Sequence, residues 1–224
     1  MRRVIYFVAL MVGAAADFPT EDERKQIVEF LGNLRESVNP PASNMLLMLL
    51  SELETAAQTY LANCSNSGLD RNALPDDVFD FGRSYDQKGP AYIDMLTYFA
   101  SESKNYNYDQ NQCTGPCVTY KEMILATSNA VGCAQEKCTP QGVSHEQHII
   151  ICLLKKNGGN VEERPYKRGE SCSECPDGFS CYHKQCFDNS SPVTQSPSPT
   201  TSISTTLSPF LIANMVILVF CLNA

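Results

Sequence analysis

The sequence predicts an α+β domain, with helices first and a small sheet later, held together by disulfides. Three observations carry this. Apolar residues recur at helical spacing through the first half. Two short apolar runs of strand type follow residue 129. An even set of cysteines remains once the apolar C-terminal tail is set aside.

Thr20 followed three residues later by Glu23 forms a capping box, and Ile27, Val28, Leu31 and Leu34 then share one helical face. Asn39-Pro40-Pro41 breaks that helix. A second helix is expected from about Asn44, with Leu46, Leu49, Leu50, Leu53, Ala57, Tyr60 and Leu61 at helical spacing and Ser65-Asn66-Ser67-Gly68 marking its end. Gly68 to Pro90 shows no clear period and reads as a long loop with one short strand. A third helix carries Tyr92, Met95, Leu96 and Phe99, and one or two helical turns are expected around Tyr120 to Leu125. Ala130 to Ala134 and His148 to Leu154 are the strand candidates. The latter is a continuous apolar run, as a buried strand requires.

The ends carry sorting signals. Met1-Arg2-Arg3, the apolar run Val4 to Val12 and the small residues Ala14 to Ala16 read as a signal peptide over residues 1–16, with the mature chain starting near Asp17. Residues 188–208 form a Ser/Thr/Pro stalk that cannot bury apolar surface, with a glycosylation sequon at Asn189-Ser190-Ser191 and a poorer one at Asn63-Cys64-Ser65. Residues 209–224 are apolar, shorter than an ordinary span and followed by no charge. A glycosylphosphatidylinositol signal fits this tail better than a membrane span, with Asn189, Ser190, Ser196, Ser198 or Ser202 as attachment residues. The chain is thus expected outside the cell, secreted or anchored at its surface.

Of 11 cysteines, Cys221 lies in that tail. The remaining ten read as a disulfide framework rather than as zinc ligands, because thiols on the secretory route do not stay reduced. The net charge is −8, and loss of Arg2 and Arg3 with the leader makes it more negative. With no basic block to neutralise phosphates, nucleic acid is excluded as a partner.

Several stretches together resemble one family. Arg35 to Met45 with Glu52-Leu53 and Ala57-Gln58, Phe99-Ala-Ser-Glu102 with Tyr106-Asn-Tyr108, Asn129 to Cys138, Ile151-Cys152 and Glu163-Arg164-Pro165-Tyr166 are similar in order and spacing to the CAP superfamily, the cysteine-rich secretory, antigen 5 and pathogenesis-related group. The resemblance covers roughly residues 21–186 and implies a three-layer α-β-α sandwich over residues 17–168. Cys172-Ser-Glu-Cys175-Pro176 with Cys181 and Cys186 resembles the small disulfide-rich hinge, here residues 169–187, of glioma pathogenesis-related and helminth venom-allergen-like members. By the same analogy the disulfides are Cys64 with Cys138, Cys113 with Cys117, Cys133 with Cys152, Cys172 with Cys181 and Cys175 with Cys186.

Members of the family commonly carry two His and two Glu in a central cleft. Their positions fall here on Gly68, Arg83, Glu102 and Thr119, so one of the four groups survives. A lone carboxylate holds no zinc usefully, and no metal or cofactor is expected. His145-Glu-Gln-His148 lacks metalloprotease spacing, and His183 lies within the hinge. No G-x-S-x-G elbow and no free cysteine offers a nucleophile, so no catalytic residue is named. Arg83 beside Glu102 is expected to form an ion pair.

The resemblance implies a non-enzymatic binding protein whose partners are a sterol or fatty acid, or a host or cell-surface protein. Phe79, Phe81, Tyr85 and Tyr92 lie where the family's lipid loop sits, and they either line a ligand or pack the loop onto the core. The alternatives are a metal-dependent hydrolase of the cleft and a protease inhibitor acting through the hinge.

Overall fold

A computed structural model describes residues 18–62, 74–85, 92–139 and 144–190. All lie in one compact unit, Met1–Ser190. The first helix, α1 (Glu21–Glu36), opens on Thr20, whose hydroxyl oxygen accepts the Glu23 N–H while the Glu23 carboxylate accepts the Thr20 N–H. Both halves of the capping box therefore form, and Ile27 and Leu31 point the apolar stripe inward.

The expected second helix is half right. Its helical part, α2 (Leu53–Leu61), starts nine residues later than Asn44, and Leu49–Leu50 before it form a short strand, β1. Backbone pairing elsewhere takes this stretch. Leu46 N–H donates to Ala126 O, Leu47 to Cys186 O, Leu49 to Asn129 O and Ser51 to Val131 O. Met45 and Met48 are the buried residues here, while Leu49 and Leu50 remain 41% and 40% exposed. The leucine spacing thus mimicked a helix, and tertiary hydrogen bonding overrode it.

The stretch read as a long loop with one short strand does hold a strand, but one of eight residues, β2 (Val78–Tyr85). The long strand β6 (Gln147–Lys155) pairs with it, and β5 (Ala130–Cys138) lies on the far side of β6. The sheet order is β1-β5-β6-β2, with β1 parallel to β5 and the other pairs antiparallel.

Alternation along β6 sorts the core into two faces. Ile150, Cys152 and Leu154 join Phe79 and Phe81 of β2 against α1 and α3 (Tyr92–Ala100). Ile149, Ile151 and Leu153 join Ala57, Tyr60 and Leu61 of α2. Helices on both faces of one sheet make the three layers, and the apolar run at 148–154 is explained by burial on both sides.

α1 and α2 are tied across the layers. The Arg24 Nε donates to Glu54 Oε1 at 2.9 Å and its Nη2 to Glu54 Oε2 at 2.9 Å. Cys133 and Cys152 are directly opposed on β5 and β6 and joined by a disulfide with Cα atoms 4.1 Å apart. Such a link stabilises by about 2–4 kcal/mol.

Beyond α3 come a 3-10 helix (Ser101–Asn105), the two-residue strands β3 (Tyr106–Asn107) and β4 (Gln112–Cys113), and α4 (Val118–Met123). The hinge forms a hairpin, β7 (Phe179–Tyr182) and β8 (Gln185–Asp188). It docks on the domain: Cys186 exchanges backbone hydrogen bonds with Met45 and Leu47, and the buried Gln185 side chain donates to Gly32 O of α1. No described helix is long and apolar enough to cross a membrane. The leader, most of the stalk and the tail lie outside the described residues.

Candidate functional site

Among the described residues, three segments carry family cleft positions: β2 holds Arg83, the 3-10 helix Glu102 and α4 Thr119. Cys117 begins α4 without a side-chain cap, and its disulfide to Cys113 fastens that start to β4. Asn105 reinforces the loop, its Nδ2 donating to Pro116 O at 2.7 Å and its carbonyl accepting the Thr114 N–H. The missing cap comes from outside the helix. Glu102 Oε2 accepts the N–H of Tyr120, in the first turn of α4, at 3.4 Å. An acceptor at that end satisfies an orphan donor and suits the helix dipole. Thr119 is half-buried in the same turn.

The expected Arg83–Glu102 ion pair does not form. The Arg83 guanidinium lies over the Tyr98 ring at 3.9 Å from its centroid, with Tyr85 at 5.9 Å. An exposed ion pair contributes at most about 1 kcal/mol, and stacking on an exposed aromatic contributes as much. Glu102 meanwhile serves α4. Gly68 lies outside the described residues.

The four aromatics are not on a loop. Phe79 and Phe81 of β2 and Tyr92 of α3 are buried in the core, and Tyr85 packs at its edge. Packing is the role the structure gives them, because every second residue of β2 faces α3.

The histidines lie elsewhere. His148, the second residue of β6, lies opposite Lys137 and Tyr85, His145 precedes the strand, and His183 Nδ1 sits 3.4 Å from Glu36 Oε2. Four of the expected disulfides form, and Cys138 is disulfide-bonded while Cys64 lies outside the described residues. The sulfurs of Cys172, Cys175 and Cys186 lie within 4.8 Å of one another, as a zinc site would need. They belong to two disulfides and offer no thiolate. Asn189 is exposed just past β8, its Nδ2 donating to Gly178 O at 2.8 Å.

Sequence reasoning missed a tyrosine cluster beside α4. Lys121 is buried, its Nζ donating to Asn111 Oδ1 at 3.0 Å and lying 5.3 Å from the Tyr106 ring. Burial lowers its affinity for the proton. Tyr108 stacks on Tyr166 at 4.7 Å and donates its hydroxyl hydrogen to Tyr166 O, with Arg164 and Arg168 over its ring. The available signal was a charged pair, Lys121-Glu122, leading the wholly apolar run Met123 to Ala126.

Burial pushes the Tyr106 hydroxyl up to about 12 and raises Tyr166 and Tyr120 as well. A folded value above the ordinary 10 means stability that is intact below about pH 10 and is lost as pH climbs through about 12. With ten tyrosines and no tryptophan, tyrosinate absorbance reads this cleanly. A fraction of the tyrosines is expected to ionise only together with alkaline unfolding. Ionisation of every tyrosine near pH 10 with the fold intact would show the cluster to be solvated.

Residues 28–154 match the cysteine-rich secretory protein family. Mouse peptidase inhibitor 16 is 28% identical over 186 residues, 80% of this chain and 36% of that protein. Human cysteine-rich secretory protein LCCL domain-containing 2 is 30% identical over 201 residues, 82% of this chain and 39% of that protein. The chain thus spans well under half the length of these relatives. Among solved structures, Schistosoma mansoni venom allergen-like protein 4 is 27% identical with a TM-score of 0.50, covering 66% of this chain and 91% of that one. Motif order, three-layer fold, disulfides and these matches agree, and the chain belongs to the cysteine-rich secretory protein, or CAP, family.

Proposed function

We propose that this chain is a non-enzymatic extracellular binding protein that engages a partner protein through its surface, exported by the leader at 1–16 and held at a membrane by the glycolipid anchor that the tail at 209–224 signals. The fate of the cleft positions carries this reading. Arg83 is a cation stacked on tyrosine, Thr119 offers a hydroxyl, and Glu102 caps α4. This set lacks the imidazole donors that a divalent cation and a hydrolytic water require. A lipid ligand loses its main support because Phe79, Phe81 and Tyr92 are core residues.

The test is metal content and turnover. The full chain from a secretory host is dialysed against zinc, counted for bound metal and assayed for chelator-sensitive hydrolysis. No stoichiometric zinc and no such turnover are expected. One zinc per chain with chelator-sensitive activity sinks the reading in favour of a hydrolase, and saturable binding of labelled cholesterol or palmitate redirects it to lipid.

A second reading, protease inhibition through the hinge, is favoured by the exposed hairpin tip braced by Cys172–Cys181 and Cys175–Cys186, and by the name of the mouse relative. Against it, His183 and Lys184 sit at positive φ in a tight two-residue turn, unlike an extended substrate strand. Lys184→Ala decides: an inhibitor of trypsin-like proteases would lose its potency, and a binding protein of the kind proposed shows none to lose.

A further inference from the structure

Arg83 carries a guanidinium with no polar partner among the described residues. It stands on β2, an outer strand of the sheet, two residues beyond Phe81 and so on the α3 face. Its contacts are the rings of Tyr98 at 3.9 Å and Tyr85 at 5.9 Å, and the side chain is exposed. The ring contact spends no hydrogen bond on an acceptor, and the five N–H donors of the guanidinium meet no polar group among the described residues.

The stack is braced from the core outward. Buried Phe81 meets Phe99 edge-on at 5.4 Å, and Phe99 meets Tyr98 edge-on at 5.1 Å. Tyr98, 50% exposed, then carries Arg83. A cation held this way loses little side-chain freedom when a ligand arrives, which is the advantage of a pre-organised contact. Exposed Tyr and Arg are also the residue types that dominate protein docking sites.

We propose that the Arg83–Tyr98–Tyr85 cluster reads a carboxylate, supplied by an aspartate or glutamate side chain of a partner protein. This rests on the reading of the chain as a protein-binding module and names the chemistry of its partner. A planar fork with two parallel donors matches a carboxylate better than any other side-chain group. The cluster is an exposed surface feature on a strand and a helix, which suits a protein segment. At a net charge of −8 the whole chain repels polyanions, so the recognised acid stands among neutral or apolar neighbours rather than in an acidic run. At a position where the family resemblance places a carboxylate, this chain carries the complementary charge.

The test is selection of a displayed random-peptide library on the full chain, followed by affinity measurement on Arg83→Ala, Arg83→Lys and Tyr98→Ala. Enriched peptides are expected to share an Asp or Glu flanked by uncharged residues. Their binding should fall about tenfold or more in Arg83→Ala, by less in Arg83→Lys, which keeps the charge without the planar fork, and should weaken with salt. Because Arg83 is exposed, loss of its ring contact should lower the thermal midpoint by no more than a few degrees; if Arg83→Ala proves unstable, the ratio between wild type and Arg83→Lys carries the test. Enriched peptides that lack an acid, or that bind Arg83→Ala as well as wild type, overturn the carboxylate site and leave the binding reading standing. No enrichment at all overturns both. Arg83-dependent binding of labelled palmitate with no peptide enriched overturns the proposal by assigning the carboxylate to a lipid.

Discussion

Replacing Arg35 by alanine is expected to destabilise the chain by about 4 kcal/mol or more, a large part of the 5–15 kcal/mol that an ordinary domain possesses. Arg35 sits in the last turn of α1 and is 1% exposed. Its Nη1 donates to the carbonyls of Met123 and Leu125, and its Nη2 to those of Leu46, Ala126 and Ser128, at 2.7–3.4 Å. One guanidinium therefore joins α1, the segment before β1 and the turn between α4 and β5. Burial pushes its proton affinity down to about 9, so it is still charged at neutral pH. Truncation takes a donor from five carbonyls, of which Leu125 and Ala126 keep a backbone N–H, from Ser128 and Leu46; each of the others costs about 1–3 kcal/mol where it finds no water, and a cavity opens besides. Arg35→Lys keeps the charge but offers three donors from one atom, and should cost about 2–3 kcal/mol. Urea midpoints by circular dichroism at constant slope give the comparison. A loss under about 1 kcal/mol in Arg35→Ala would show that the carbonyls re-pair or are solvated.

Arg35 also marks where the sequence stops being legible. α1 could be read because its capping box and apolar stripe are local, and β6 because its inner run, Ile149 to Leu154, packs on both faces and has no polar residue to hide it. Nothing near Arg35 announces its partners, which lie up to 93 residues away, at Ser128. A basic residue in the last turn of a helix ordinarily serves the dipole.

Leu46, Leu49 and Leu50 misled for a related reason: the helical spacing is real, but the backbone N–H groups of that stretch pair with Ala126, Cys186 and Asn129. The length of β2 was masked by Asp80, Gly82, Arg83 and Ser84, polar or small residues that an outer strand tolerates and a central one does not. The cleft positions could be named from motif order alone. What Arg83 does there could not, since the choice between Glu102 and Tyr98 is one between contacts of similar energy, settled when Glu102 accepts the Tyr120 N–H.

Two glycine-to-alanine changes are expected to have opposite signs, and together they test how α2 seats on the sheet. Gly132 lies in β5 beneath the start of α2. A Cβ there would stand 2.2 Å from the amide nitrogen of Glu54 and 2.3 Å from the carbonyl carbon of Leu53. These are backbone atoms and cannot swing aside, so Gly132→Ala must lift α2. Lifting α2 loosens Ala57, Tyr60 and Leu61 from Ala134, Ile151 and Leu153 and strains the Arg24–Glu54 bridge to α1. Overpacking of this kind costs about 1–3 kcal/mol, and the upper end applies because an entire helix shifts. Gly32, in the interior of α1, has no atom nearer than Gln185 Nε2 at 4.0 Å to such a Cβ. Gly32→Ala should therefore stabilise by about 0.5–1 kcal/mol through helix propensity, leaving the Gln185 hydrogen bond to its carbonyl in place. Chemical denaturation of both variants beside wild type reads the two signs. A neutral Gly132→Ala would mean that α2 does not rest on β5 as closely as the 2.2 Å approach requires.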